Sequence, residues 1–128
     1  MQDRFKFRYL FDNKLYEVVL IDFRLNKIYL KVDDKFPIRV EFDDKRLVQC
    51  TGLKDKNGKL IYEGDIIYKK GSKNYKKEKM YSRVCWDSMY AQFNISDENG
   101  MHQMPSNSNN IEVIGNIYEN PELIKDGE

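Results

Sequence analysis

The run from Thr51 to Ile67, Thr-Gly-Leu-Lys-Asp-Lys-Asn-Gly-Lys-Leu-Ile-Tyr-Glu-Gly-Asp-Ile-Ile, leaves little freedom for the fold. Asn57-Gly58 is a strong two-residue turn signal, because both positions tolerate a positive φ. Tyr62-Glu63-Gly64-Asp65 forms a second turn, in which glycine supplies the strained conformation and Asp65 accepts from nearby backbone amides. Ile66-Ile67-Tyr68 then opens a strand. A turn, a strand, a second glycine turn and another strand in this order predict a β-rich chain.

The flanking sequence repeats that theme. Charged and aromatic residues alternate from Arg4 to Phe11, the period-two pattern of a half-buried strand. Asp12-Asn13-Lys14 is a turn, and Leu15 to Phe23 returns as a mostly apolar, β-branched run. Lys27 to Val32 and Ile38 to Phe42 alternate again, punctuated by Asp33-Asp34-Lys35 and Asp43-Asp44-Lys45. Leu47 to Thr51, Tyr81 to Trp86, Met89 to Ile95 and Ile111 to Ile114 read as further strands. Asn99-Gly100 is another turn signal, and the polar stretch from Pro105 to Asn110 reads as a loop. Asn120-Pro121-Glu122-Leu123 predicts a short helix start, with Asn120 as N-cap and Pro121 at the first helical position.

The chain has 128 residues, enough for one domain with an ordinary core and no need of a metal or disulfide. Hydrophobic residues make up 41%, with nine Tyr and seven Phe, which argues against disorder and for strands. The net charge of +1 argues against a dedicated, highly basic nucleic-acid binder. Local asymmetry lies beneath that balance: six lysines stand against Glu78 between Lys69 and Lys79, and four acids stand against Lys125 between Glu119 and Glu128. Val18-Val19-Leu20-Ile21 is too short for a signal core or a membrane span. Cys50 and Cys85 follow no metal or redox spacing and read as reduced, buried thiols. The expected compartment is the bacterial cytoplasm.

Three stretches resemble the YopX family of phage and prophage proteins. They are Cys50 to Gly58 with Ile61-Tyr62-Glu63-Gly64-Asp65-Ile66, then Val84-Cys85-Trp86, then Glu112 to Leu123. The opening Lys6-Phe7-Arg8 is similar to the start of the family. The resemblance implies a small, mainly β protein encoded by phages and prophages, with no established enzymatic activity and no catalytic residues to carry over. Its motif residues look structural. Gly52, Gly58, Gly64 and Gly115 are expected at turns, with Asp55, Asn57, Asp65, Asn116 and Pro121 beside them. Ile61, Ile66, Trp86 and Ile114 are expected to fill a core. Separately, pattern and spacing suggest a single domain over 1–128. An N-terminal antiparallel β element (1–47) precedes a small SH3-like β-barrel with a short C-terminal helix (48–128).

Few constellations carry chemistry. An acid pair drawn from Asp55, Glu63 and Asp65 competes with the turn role of Asp55 and Asp65, and turn chemistry is the stronger reading. His102 is the only histidine, and one His with two separated Cys makes a poor zinc site. There is no nucleophile elbow and no phosphate-binding glycine loop. No enzyme, cofactor or metal is expected.

The run Lys69, Lys70, Lys73, Tyr75, Lys76, Lys77, Lys79 is the candidate contact surface. Ammonium groups track phosphates, and Tyr75 with Tyr68 or Tyr81 can stack on bases. A solvated hairpin tip gives the same composition, and lysines also protect strand edges. The acidic segment from Glu119 to Glu128 would complement this loop in another subunit. The leading expectation is a non-catalytic module that binds a phage or host protein or self-assembles. The alternative is a nucleic-acid-binding module using the loop from Lys69 to Lys79.

Overall fold

The computed structural model describes residues 2–69, 81–97, 100–104 and 110–125. Eleven strands are seen in these residues, in two antiparallel sheets. After a 3-10 turn at Asp3–Phe5 come β1 (Phe7–Phe11), β2 (Lys14–Asp22), β3 (Lys27–Lys31) and β4 (Ile38–Glu41). A second 3-10 turn, Asp44–Arg46, leads into β5 (Leu47–Lys54) and β6 (Leu60–Tyr62). The remaining strands are β7 (Asp65–Lys69), β8 (Tyr81–Asp87), β9 (Gln92–Asp97), β10 (Gly100–Gln103) and β11 (Ile111–Asn116), before the helix α1 (Glu122–Lys125). Six strands run β4-β3-β2-β1-β5-β6 and five run β10-β9-β8-β7-β11.

The first sheet curls around Tyr9. Its hydroxyl donates to the Glu41 carbonyl (3.0 Å) and accepts from the Asp43 amide (2.9 Å). Tyr9 lies on β1 and Glu41 ends β4, three strands away, a span of about 14 Å in a flat sheet. A tyrosine side chain reaches β4 only if the sheet rolls. Tyr9, Ile28 and Leu30 are buried inside that roll, flanked by Phe11, Val18, Val40 and Phe42.

The two sheets are joined through β6. Strand alternation sends Ile61 into the core of the five-stranded sheet, with Ile67, Val84, Ile95 and Ile111. Its neighbour Tyr62 points the other way and packs with Val48 and Cys50. On β7 the successive residues Ile66 and Ile67 are both fully buried, so that strand is covered on both faces.

Several expectations are corrected. Trp86 does not fill the core: it continues the buried face of Ser82 and Val84 but sits where β8 runs out, and it is 46% exposed. Its indole contacts Phe93 edge to face, with ring centroids 5.0 Å apart. Ile114 is only half-buried. Gly115 lies not in a turn but within β11, where the pairing with β7 shifts register between Val113 and Gly115. Side-chain crowding explains the glycine, because a Cβ there would stand 2.7 Å from Asn120 Oδ1 and 3.0 Å from Leu123 Cδ1. Asn120 does not cap α1 with its side chain; its Oδ1 instead accepts from the Asn116 amide (3.2 Å). Arg4 and Phe5 belong to a 3-10 turn rather than a strand, and Met89 to Ala91 form the turn before β9. β10 has no counterpart in the sequence reading. The five-stranded order leaves β10 and β11 as unpaired ends, so no closed barrel is present among the described residues. β5 and β6, placed with the barrel-like region by sequence, extend the sheet of the N-terminal strands, β5 pairing with β1 and β6 with β5.

Candidate functional site: an inter-sheet junction and an exposed aromatic turn

The opening sequence feature folds into the junction between the sheets. Asp55 is buried, and its Oδ1 accepts from the amides of Asn57 and Lys59 (both 2.9 Å). Its Oδ2 accepts from the Val113 amide of β11, also at 2.9 Å. The Lys56 amide donates to the Ile111 carbonyl, so the Asn57-Gly58 turn is stitched to the far sheet by two bonds. Burial pushes the Asp55 carboxyl up, but the amides of Val113, Lys59 and Asn57 more than offset this and hold it below the ordinary value.

Gly64 and Asp65 make the second set of stitches. The Gly64 amide donates to the Val84 carbonyl (2.7 Å), and the Gly64 carbonyl accepts from Ile117 (2.9 Å). The Glu63 amide donates to Gln49, and Asp65 Oδ2 accepts from the Tyr62 amide (2.8 Å). Gly64 has φ +84°, as the turn reading requires. Gly52, within β5, and Gly58 also have positive φ. Beside them the Arg8 guanidinium lies 3.9 Å from the centre of the Tyr62 ring, a cation–π contact.

Burial pushes the Asp65 carboxyl up to about 6, and the Tyr62 amide and the Arg8 charge only partly counter it. A carboxyl raised in the fold destabilises it once ionised, so the cost is fully present above pH 6 and fades as pH falls towards 4. The span corresponds to about 3 kcal/mol. Asp65→Asn should therefore be more stable than the parent at pH 7, with the difference shrinking by pH 4 in denaturant titrations. A difference that does not change with pH would contradict this assignment.

At the other candidate positions the picture is mixed. Lys69 is exposed at the end of β7, opposite Ile111, while Lys70, Lys73, Tyr75, Lys76, Lys77 and Lys79 lie outside the described residues. Tyr68 and Tyr81, at the ends of β7 and β8, meet edge to face at 6.4 Å. Asn116 organises the chain before α1: its Oδ1 accepts from Tyr118 and Glu119, and its Nδ2 donates to Glu119. Pro121 follows, immediately before α1. His102 is exposed on β10, 3.4 Å from Asp97. Cys50 is buried and Cys85 half-buried; both are free thiols raised by burial. Among the described residues no three His, Cys, Asp or Glu side chains gather to hold a metal, and no helix is long and apolar enough to cross a membrane.

One surface escaped the sequence reading. Asp87 Oδ1 accepts from the amides of Met89 (3.0 Å) and Tyr90 (3.4 Å), and its Oδ2 accepts from Asn94 Nδ2 (2.9 Å). Asn94 in turn accepts from Gln92. This polar brace holds a turn that displays Met89 (82% exposed) and Tyr90 (70%) beside Trp86. The available signal was Asp87 two and three residues before those amides, a pattern that favours an Asx turn over a longer strand.

The YopX protein family model matches residues 6–125, nearly the whole chain. The chain belongs to the YopX family. The match spans both sheets, so the junction and the aromatic turn both lie within the YopX region. A solved structure, the crystal structure of protein EF1440 from Enterococcus faecalis, is similar over 93% of this chain and 96% of that one. It has a TM-score of 0.59 at 24% identity, which is a likeness of fold. No curated protein matches this YopX chain.

Proposed function

We propose that this YopX protein is a non-catalytic interaction module, an accessory protein of phages and prophages acting in the bacterial cytoplasm by binding a protein partner or a further copy of itself. The observation that carries this is the Asp87-braced turn. Three large side chains, Trp86, Met89 and Tyr90, are exposed in one short stretch, and the Asp87 carboxylate fixes the backbone of the turn that carries Met89 and Tyr90. Aromatic residues and Met are enriched at the centres of protein interfaces. Of the three carboxylates that offered acid–base chemistry, two are engaged instead, while burial pushes the Glu63 carboxyl up. Asp55 accepts three backbone amides, and Asp65 is buried against the Tyr62 amide. We read the five-stranded sheet as an SH3-like arrangement, since β7 to β10 form a meander and β11 returns beside β7.

The test compares the parent with a Trp86→Ser/Tyr90→Ser variant in partner capture and in self-association. Tyr90 is largely exposed and Trp86 about half so, with its indole against Phe93, and the variant should fold, as thermal unfolding checks, and lose the association. A parent that associates with nothing the variant does not also bind would overturn the reading.

The nucleic-acid alternative is favoured by one contact. The Tyr68–Tyr81 ring pair and Lys69 stand where the lysine-rich segment joins β7 and β8. That reading expects binding to labelled single-stranded nucleic acid that falls steeply with salt. It should vanish when Lys69, Lys70, Lys73, Lys76, Lys77 and Lys79 are neutralised together. Salt-insensitive binding, or none at low salt, removes it.

A further inference from the structure

β4 is an outer strand of the six-stranded sheet, and its register against β3 fixes which main-chain groups face outward. Val40 opposes Ile28, Arg39 opposes Tyr29, and Glu41 opposes Lys27. The Phe42 amide donates to the Asn26 carbonyl, which marks Phe42, Val40 and Ile38 as the residues bonded to β3. The amides and carbonyls of Arg39 and Glu41 therefore point away from the sheet, and of these four groups only the Glu41 carbonyl is already bonded, accepting from the Tyr9 hydroxyl (3.0 Å). This open stretch is bounded at both ends. Pro37 has no amide hydrogen, and the Asp43 amide is bonded to the Tyr9 hydroxyl.

We infer that β4 pairs antiparallel with β4 of a second copy, about a two-fold axis at Val40. The stretch Ile38-Arg39-Val40-Glu41-Phe42 is self-complementary in that register. Arg39 faces the second copy's Glu41, Glu41 faces its Arg39, Val40 meets Val40, and Ile38 meets Phe42. In each pair the Glu41 amide donates to the Arg39 carbonyl, the Arg39 amide gives the Glu41 carbonyl a second donor beside the Tyr9 hydroxyl, and guanidinium is set against carboxylate. Both side chains are exposed, and among the described residues Arg39 has no ion pair while Glu41 is met by Lys27.

The surrounding apolar surface fits the same axis. Phe36 (84% exposed) precedes β4, whereas Phe23 (77%) rests edge-on against Phe42, which follows it. Within one copy they flank opposite ends of the strand. Antiparallel pairing brings Phe36 of each copy to the Phe23–Phe42 pair of the other. Covering these four rings buries roughly 600 Å². With the paired strands, this approaches the lower end of specific interfaces, about 1,200 Å². The Phe side chains, on which no other strand of the fold depends for pairing, thus acquire neighbours.

This inference rests on the self-assembly arm of the proposed function and gives that arm a surface distinct from the aromatic turn. The test is sedimentation equilibrium on the full chain. The parent is expected to form a dimer. Arg39→Glu and Glu41→Arg should each weaken it by about tenfold or more, since two symmetric attractive pairs become repulsive. An equimolar mixture of the two variants should recover the dimer, because every 39/41 contact is then of opposite sign, and so should the double charge swap. Arg39→Pro, which removes an outward amide and leaves the β3 bonds intact, should also separate the copies; thermal unfolding confirms that each variant is folded. A monomeric parent, or single variants that dimerise as well as their mixture, would overturn the inference. The Trp86→Ser/Tyr90→Ser variant should dimerise normally, so a failure of the aromatic-turn reading leaves this result standing and the reverse also holds.

Discussion

Gly64→Val is expected to destabilise the fold by about 3 kcal/mol or more, measured by denaturant or thermal unfolding. Two effects combine. At φ +84° a β-branched side chain is a backbone outlier, whereas glycine is free there. A Cβ would also stand 2.6 Å from Tyr118 Cε2, and that ring packs against the cluster of Val48, Cys50 and Tyr62. The ring cannot retreat without opening that cluster, and backbone movement would break the Gly64–Val84 and Ile117–Gly64 bonds. Gly64→Asn separates the two effects, because Asn tolerates the left-handed conformation but still meets the ring. Combining Gly64→Val with Tyr118→Ala should restore space but not φ, so the pair should be non-additive. A wild-type unfolding midpoint for Gly64→Val would show that the junction has been misassigned.

Asp55→Ala should cost about 2–4 kcal/mol. It removes the acceptor of three amides, one of them across the sheets at Val113, and the Val113 amide is the one least able to find water. Its pH signature is opposite to that of Asp65. The Asp55 carboxyl is held below its ordinary value, so its stabilisation is present at neutral pH and is lost as pH falls through that lowered value. The parent and Asp55→Ala should therefore converge in stability in strong acid. Asp65→Asn diverges from the parent on going from pH 4 to 7. Equal loss of stability at neutral and strongly acidic pH would argue that the Asp55 bonds are not made by a carboxylate.

The two aspartates also show how far the sequence could be read. Each sits beside a glycine turn, and a short acidic side chain there accepts from amides a few residues away. Asn57 and Lys59 for Asp55, and Tyr62 for Asp65, are partners of this local kind. The Val113 amide is not, since it lies 58 residues away. Trp86 departs from its sequence pattern for a related reason. The alternation along β8 places it on the buried face, but alternation does not say where the facing layer ends, and Trp86 lies beyond that point. Gly115 reads as a turn residue because glycine commonly marks one. Its actual cause is the approach of Asn120, which local pattern does not encode.

The sequence alone determined the β class, the positions of most strands, the turn chemistry of Asp55, Gly58, Gly64 and Asp65, and the resemblance that the family match bears out. These depend on period-two alternation and on residues within a few positions of one another. Only the tertiary structure decided that β6 serves two cores, that Tyr9 closes the roll of the first sheet, that Trp86 is left half-uncovered and that β4 is an edge. Each of these is a contact, or the lack of a covering layer, set by chain segments far apart in sequence. An alternating strand fits either sheet and either edge until its neighbours are in place.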